Sequence, residues 1–346
     1  MKGKYSLAVS VGSFLFCWGL FLMWGMHQAR ERAQGHYLRC QAGVRDPHFY
    51  PGWLLAHARQ ERPNVPKIVF LGDSTVYGTS SSAAGKTVTG AFGKRFAPAQ
   101  AQIFSFSIIN IGPKAFDRII NNYVTPRDYV IIQLLPTDSS LQVDSHLQSI
   151  KSRNMAQGWM IPFWVCRDEI NTLYGRPVSL FIFDVFERVK QMLRQKTFFP
   201  LPDNEQWRPF TVGKLAHDEA YLRGWAQKIS TPLEKKSLQI VRELLSNPHL
   251  DPKKTMVYFT PINPALWRPE DLQPEGGFYR SLTALERVVR EAGVVCFDYN
   301  RLPPPFTVDL FHDYSHLTDD GSIMLGERLG MDWQHAFQSS IAKVTP

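Results

Sequence analysis

The chain has 346 residues, of which 44% are apolar and 20% are charged. This length and apolar content are enough for one large folded domain or two smaller ones, and they exclude a disordered chain. The formal net charge is +8, but the basic residues are scattered and no nucleic-acid-binding motif is present. We therefore predict no nucleic-acid partner and attribute the charge to a surface that suits anionic lipid or polymer.

The N-terminal stretch predicts a membrane anchor. Residues 5–26 carry no charged side chain, and roughly 20 apolar residues are enough to cross a bilayer as a helix. Lysines before this stretch weakly favour a cytoplasmic tip at 1–4. A cleaved signal peptide is the alternative, but the stretch is long for one, and His27 stands where a small residue would precede a cut after Ala29. We predict an uncleaved, single-pass signal anchor in a bacterial-type inner membrane, with the remaining chain in the periplasm or outside the cell.

A connector and a set of buried strands are predicted next. Residues 27–64 contain three prolines and little periodicity, which predicts a juxtamembrane connector. We assign the main domain to 65–335 and a C-terminal tail to 336–346. Short β-branched runs bounded by turn residues are typical of strands buried on both faces of a parallel sheet; they lie at 67–72, 101–109, 128–135, 255–260 and 293–298.

Helical patterns between these strands complete the predicted architecture. Clear examples lie at 233–245 and 279–293. Alternating strands and helices predict a doubly wound α/β domain with a mostly parallel sheet. The third and fourth strands are too far apart for a single crossover, so we predict an insertion at about 140–235. Within it, 178–199 has apolar residues near helical spacing beside basic ones, which fits a core-facing helix or one that touches the membrane surface.

Residues 69–87 read VFLGDSTVYGTSSSAAGKT and suggest either a phosphate-binding loop or a nucleophilic serine. A phosphate loop that ends in Gly85-Lys86-Thr87 needs a glycine where Ser80 stands. No dinucleotide-binding G-x-G-x-x-G opens a helix here either. The four cysteines show no metal-binding spacing. We therefore reject nucleotide binding and predict neither a cofactor nor a metal.

Ser74 directly follows the first predicted strand, within Gly72-Asp73-Ser74. Ligands of parallel α/β sheets bind at the carboxyl ends of the strands. At such a position, a serine that opens a helix exposes its hydroxyl beside free backbone N–H donors, where an oxyanion could form. The tripeptide alone is better explained as a turn and helix cap than as a nucleophile.

A second polar stretch, DLFHDYSHLTDDG at 309–321, supplies the groups that a serine nucleophile needs. An imidazole takes the hydroxyl proton, and a carboxylate holds the imidazole in the correct tautomer. Two acid–histidine pairs have the required spacing, Asp309 with His312 and Asp313 with His316. Spacing alone does not choose between them.

The two stretches together resemble the SGNH, or GDSL, hydrolase family. Its first block is matched by Leu71-Gly72-Asp73-Ser74, and its last block, Asp-x-x-His-Leu with a glycine downstream, by Asp313 to Leu317 and Gly321. The resemblance covers roughly 65–335 and implies a three-layer α/β/α fold. It also implies a catalytic triad of Ser74, His316 and Asp313, and leaves His312 as a bystander.

The middle blocks of the family match less well. The family takes one oxyanion donor from a glycine after the second strand and one from an asparagine after the third. Here Asn110-Ile111-Gly112 places the first donor near Ala115, or at Asn110 in another register, and Thr137 replaces the asparagine. The Ser74 N–H completes the predicted set. Loss of one oxyanion donor can cost about 3 kcal/mol, which argues against fast general hydrolysis.

The resemblance implies acyl transfer from an ester to water or to a sugar hydroxyl. Single-anchor members of the family often look like partners of membrane-bound O-acyltransferases that modify surface polysaccharides. We predict an acyl-ester or glycan substrate, membrane attachment through residues 5–26 and a membrane-bound O-acyltransferase as partner. The alternative is an SGNH-like scaffold with little turnover that binds a glycan or such a partner.

Overall fold

The computed structural model describes most of the chain outside the predicted insertion. The described residues are 2–34, 37–39, 49–77, 84–96, 100–107, 111–143, 161–163, 165–166, 218–267, 271, 273–301 and 306–341. The predicted amphipathic run at 178–199 lies outside them.

Six parallel strands form the sheet of the described residues, in the order β1-β3-β2-β4-β5-β6. They are β1 (Tyr37–Arg39), β2 (Lys67–Gly72), β3 (Gln102–Ser107), β4 (Tyr129–Leu134), β5 (Thr255–Phe259) and β6 (Val295–Asp298). All residues of β2, β3, β4 and β5 are buried, because helices cover both faces.

The helices of the described residues are α1 (Lys2–Gln34), α2 (Phe49–Glu61), α3 (Ser74–Tyr77), α4 (Val88–Gly93), α5 (Pro113–Tyr123), α6 (Asp138–Leu141), α7 (Glu219–Ser230), α8 (Lys235–Leu245), α9 (Gly277–Glu291) and α10 (Asp319–Ile341).

Alternate residues of β2 belong to two hydrophobic cores, one on each face of the sheet. Val69 and Leu71 pack with α2, α5, α8 and α9, whereas Ile68 and Phe70 pack with α4 and α10. The predicted three-layer α/β/α fold with a parallel sheet is confirmed.

The range 27–64, predicted as a connector, contains β1 and α2. β1 pairs with β3 at one edge of the sheet, and α2 buries Leu54, Leu55 and Ala58 in the larger core. β1 has only three residues and no apolar run, and α2 has Pro51 and Gly52 near its start. A proline in the first turn is compatible with a helix. The sequence pattern of this range therefore does not indicate β1 and α2, although both elements pack on the domain.

α1 is long and apolar enough to cross a membrane. The candidate span is Ser10–Glu31, with a mean hydropathy of 1.2. The helix is longer than the predicted span of residues 5–26, and its last turns contact the domain. Gly25 is buried, and Ala29 is fully buried as a member of the larger core.

Candidate active site

Ser74, His316 and Asp313 form a continuous chain of hydrogen bonds. His316 Nε2 lies 2.8 Å from Ser74 Oγ, and His316 Nδ1 lies 2.7 Å from Asp313 Oδ2. A carboxylate can only accept, so Nδ1 donates to Asp313 and the neutral Nε2 accepts from the serine hydroxyl. An imidazole held in this way can take the serine proton as the oxygen attacks. The structure thus brings together all three residues of the predicted triad.

Hydrogen bonds within the loop between β6 and α10 fix the position of Asp313 relative to His316. Asp313 Oδ1 accepts hydrogen bonds from the backbone N–H groups of Ser315 at 2.9 Å and His316 at 2.7 Å. Asn263, which is fully buried, donates through Nδ2 to the Asp313 carbonyl at 3.1 Å and through its backbone N–H to the Tyr314 carbonyl at 2.9 Å. The segment that follows β5 therefore holds this loop in place through Asn263.

Burial and the neighbouring polar groups have opposite effects on the pKa values of His316 and Asp313. Burial alone would lower the pKa of His316, but its hydrogen bond to Asp313 and the charges of Asp313 and Asp73 outweigh burial and raise it. Burial would raise the pKa of Asp313, but hydrogen bonds from His316 and Ser315 and the charge of His316 lower it overall. The site therefore favours an ionised acid and stabilises the imidazolium that forms when Ser74 loses its proton.

The turn before Ser74 explains the glycine and the aspartate of the first block. A Cβ on Gly72 would lie 2.4 Å from Val76 Cγ2, so only glycine allows α3 to start this close to the strand. Asp73 Oδ1 accepts from the Thr75 backbone at 2.8 Å and from the Thr75 hydroxyl at 2.7 Å, and so caps α3. Burial raises the pKa of Asp73, although the bonds from Thr75 oppose this.

A buried glutamine of β4 holds the same turn from the neighbouring strand. Gln133 is 2% exposed. Its Oε1 accepts from the Asp73 N–H at 3.0 Å, and its Nε2 donates to the Thr260 hydroxyl. Gln133 therefore links the end of β2, which carries the serine, to the end of β5, which precedes Asn263.

His312 belongs to the loop but not to the hydrogen-bonded chain. Its backbone N–H donates to the His316 carbonyl at 2.7 Å, which closes the loop. Its Nδ1 is buried with no hydrogen-bond partner, and burial lowers its pKa. Of the two acid–histidine pairs in the sequence, the structure joins Asp313 and His316 to the serine.

Two predicted oxyanion donors are engaged elsewhere. The Ala115 N–H donates to the Gly112 carbonyl at 2.9 Å in the first turn of α5. The Thr137 hydroxyl donates to Ser140 Oγ at 2.9 Å, where it supports α6. In both cases the start of a helix takes up the group, so neither points a free proton at an oxyanion. Asn110 lies outside the described residues. The Ser74 N–H, at the first residue of α3, remains as a predicted donor.

An aromatic stack borders the histidine loop, and the sequence alone did not reveal it. The Tyr314 ring stacks on Trp225 of α7 with 3.6 Å between centroids and 10° between planes. The Tyr314 ring stands edge-on to His316 at 6.2 Å and 86°. Lys228 Nζ lies 4.2 Å from the centre of the Trp225 ring. The last helix within the predicted insertion, α7, thus supports the loop that carries Asp313 and His316.

Asn263, Gln133 and Trp225 are the residues around the site for which sequence analysis assigned no function. The only signal for the first two was a polar side chain in or just after a strand. Nothing in the sequence links Trp225 to Tyr314. Among the described residues, no group of three or more His, Cys, Asp or Glu side chains could hold a metal ion.

No protein-family model and no curated protein matches the sequence. The protein YXIM of Bacillus subtilis is 13% identical across 79% of this chain, with a TM-score of 0.39, and the match spans 56% of the length of YXIM. A carbohydrate acetylesterase family member from Sinorhizobium meliloti is 10% identical, and Est24, a carbohydrate acetylesterase from the same organism, is 12% identical. Both have a TM-score of 0.36, with 79% of this chain and 100% of the other covered. Similarity at this level supports no statement about activity or substrate.

Proposed function

We propose that this protein is a membrane-anchored serine enzyme that acts on acyl esters of a cell-surface polysaccharide or other glycan. The observation that carries the proposal is the chain of hydrogen bonds from Ser74 through His316 to Asp313. The resemblance of both sequence blocks to the SGNH/GDSL family supports an ester as the bond that is attacked. The site lies at the carboxyl end of β2, where ligands of parallel α/β sheets bind.

In the first half of the proposed reaction, Ser74 becomes acylated. Its Oγ forms a bond to the ester carbonyl carbon while His316 Nε2 takes the hydroxyl proton. The Ser74 N–H stabilises the resulting oxyanion. When the tetrahedral intermediate collapses, the bond to the leaving alkoxide breaks, and His316 gives its proton to that oxygen. Asp313 stays ionised and holds the imidazolium throughout.

The second half of the reaction decides between a hydrolase and a transferase. Water or a sugar hydroxyl loses its proton to His316 and attacks the acyl carbon, and Ser74 leaves with the proton returned by His316. With water the products are a free acid and the enzyme; with a sugar hydroxyl the product is a new acyl ester. Engagement of Ala115 and Thr137 elsewhere removes two of the predicted oxyanion donors and favours a slow enzyme.

The alternative is a scaffold that binds a glycan or a membrane-bound O-acyltransferase without turnover. The diverted donors at Ala115 and Thr137 support it. The intact hydrogen bonds at Ser74 and His316 oppose it, because a binding module has no need for an aligned base and orienting acid.

The candidate span in α1 supports attachment to a membrane, and the charged residues before it support a cytoplasmic N-terminus. On this basis we place the domain on the periplasmic or extracellular face.

Labelling of the detergent-purified protein with a fluorophosphonate tests the proposal. This reagent phosphonylates serines that have an activated hydroxyl. We expect labelling of the wild type and its loss in Ser74→Ala and His316→Ala, with Ser322→Ala as a matched control that keeps labelling. No labelling of a folded wild type, in detergent or in native membranes, would contradict the enzyme and favour the scaffold.

A further inference from the structure

The anchor helix exposes apolar side chains up to Trp24. In α1, Phe14 and Phe16 are 65% and 67% exposed, Met23 is 65% exposed and Trp24 is 42% exposed. A continuous apolar surface of this kind is not left in water by a monomeric protein. Lipid therefore has to cover the helix at least as far as Trp24, whose aromatic ring suits the membrane–water interface.

A short piece of the insertion packs on the same part of the anchor. The Phe163 ring lies 5.3 Å from Trp18 and 5.4 Å from Phe21, measured between centroids. Further along α1, a Cβ on Gly25 would lie 2.3 Å from Pro162 Cβ, so the two backbones are in close contact. The helical turn at 161–163 thus follows α1 from Gly25 back toward Trp18.

The geometry of the helix gives the depth of this contact. An α-helix rises 1.5 Å per residue, so Phe21 and Trp18 lie about 5 Å and about 9 Å from Trp24 along the axis, toward the membrane centre. Phe163 touches both rings. It therefore lies at a level that lipid already covers on the exposed side of the helix.

We propose that the helical turn at 161–163 is a second membrane contact, which inserts into the leaflet on the side of the domain. This inference rests on the proposed membrane anchoring. The partner is the acyl-chain region of a phospholipid bilayer, which accepts phenylalanine at little cost. Phe163 remains half-buried against the anchor, so part of its ring faces away from α1.

The same turn connects the membrane contact to the core of the domain. Ile161 is fully buried, and it belongs to the core cluster that covers one face of the sheet. Val165, also fully buried, belongs to the same cluster. A turn that is fixed on both sides holds the domain at one height above the bilayer, whereas a flexible linker would let it move away.

Depth-dependent fluorescence quenching tests the inference on the full-length chain in lipid nanodiscs. The native cysteines are replaced by serine, and single cysteines carrying an environment-sensitive fluorophore are introduced as Phe163→Cys, Trp24→Cys and Lys228→Cys. Trp24 reports the anchor, and Lys228 reports the exposed surface of α7. Lipids with a nitroxide on the acyl chain quench only fluorophores that contact the leaflet.

We expect quenching at Phe163→Cys to match that at Trp24→Cys and to exceed that at Lys228→Cys at least twofold. Quenching at Trp24→Cys without quenching at Phe163→Cys would overturn the second contact and leave the anchor intact. No quenching at either position would overturn the anchor as well, while fluorophosphonate labelling of Ser74 would still report the enzyme.

A photoreactive phenylalanine analogue at position 163 provides a second measurement that keeps the aromatic packing. Irradiation of cells should yield adducts with phospholipid, detected by mass spectrometry of the purified protein. Adducts with protein segments alone would contradict the inference.

Discussion

In the proposed mechanism, the protonation state of His316 determines the pH range in which Ser74 can react. His316 acts as a base only when neutral, and its contacts with Asp313 raise its pKa above the ordinary value of 6.5. Below the raised pKa the imidazole is protonated and cannot accept the serine proton. The site therefore requires a more alkaline medium than an isolated histidine would.

We predict that the rate of fluorophosphonate labelling falls toward low pH with a midpoint above 6.5, the ordinary pKa of the histidine. In Asp313→Asn the imidazole loses the charge that raises its pKa, so the midpoint should move to lower pH. The rate should also fall by about 10⁴-fold, because the asparagine no longer selects the reactive tautomer. A wild-type midpoint at or below 6.5 would contradict the assigned pair.

At the residue scale, local spacing predicted which residues meet at the site, but it did not predict the contacts that support them. Ser74 and Asp313 lie in blocks with fixed short spacings, which a single sequence displays. Asn263 and Gln133 could not be assigned in the same way. Their roles depend on hydrogen bonds to residues 50 and 60 positions away, and one sequence does not reveal such pairings. Thr137 failed as a donor for a related reason, since its hydroxyl serves the start of α6.

At the scale of elements, apolar patterns located five of the six described strands and the helices α1, α8 and α9. The predicted strand at 67–72 coincides with β2, and 128–135 differs from β4 by one residue at each end. A continuous apolar run between turn residues is sufficient for a strand that is buried on both faces. β1 has no such run, because it is a short edge strand whose place is fixed by its pairing with β3.

Close contact between α4 and α10 gives a test of packing on the second face of the sheet. A Cβ on Gly326 would lie 2.3 Å from the Val88 carbonyl oxygen and 2.7 Å from Ala91 Cβ. We predict that Gly326→Ala pushes the two helices apart and lowers the free energy of unfolding by about 1–3 kcal/mol, the usual cost of overpacking.

Gly224→Ala is the matched control for this change, because Gly224 lies within α7 and a Cβ there would meet nothing within 4 Å. An exposed helical alanine is favoured over glycine by roughly 1 kcal/mol, so this variant should be slightly more stable than the wild type. Chemical denaturation in detergent measures both. Equal stabilities of the two variants would show that α4 and α10 separate without cost.

At the scale of the whole molecule, the C-terminal end of α1 packs against the core of the domain. Hydropathy predicted a helix that crosses a membrane, but it does not register which helix residues face protein. In the structure, Ala29 is fully buried in the larger core, and Met26 packs against that core. The α1 residues that follow Trp24 therefore have a structural role that a simple tether would not have.

This arrangement predicts a difference between two truncations of the purified protein. A chain that lacks residues 1–34 loses every contact between α1 and the domain, so its Tm should fall below that of the full-length protein. Each 1 kcal/mol lost would lower Tm by roughly 2–4 °C in a domain of this size. A chain that lacks only 1–17 keeps the residues from Trp18 to Ala29 and should retain the full-length Tm in the same detergent. Thermal unfolding followed by circular dichroism measures both values. If the two truncations unfold at the same temperature as the full-length chain, α1 contributes nothing to the stability of the domain and acts only as an anchor.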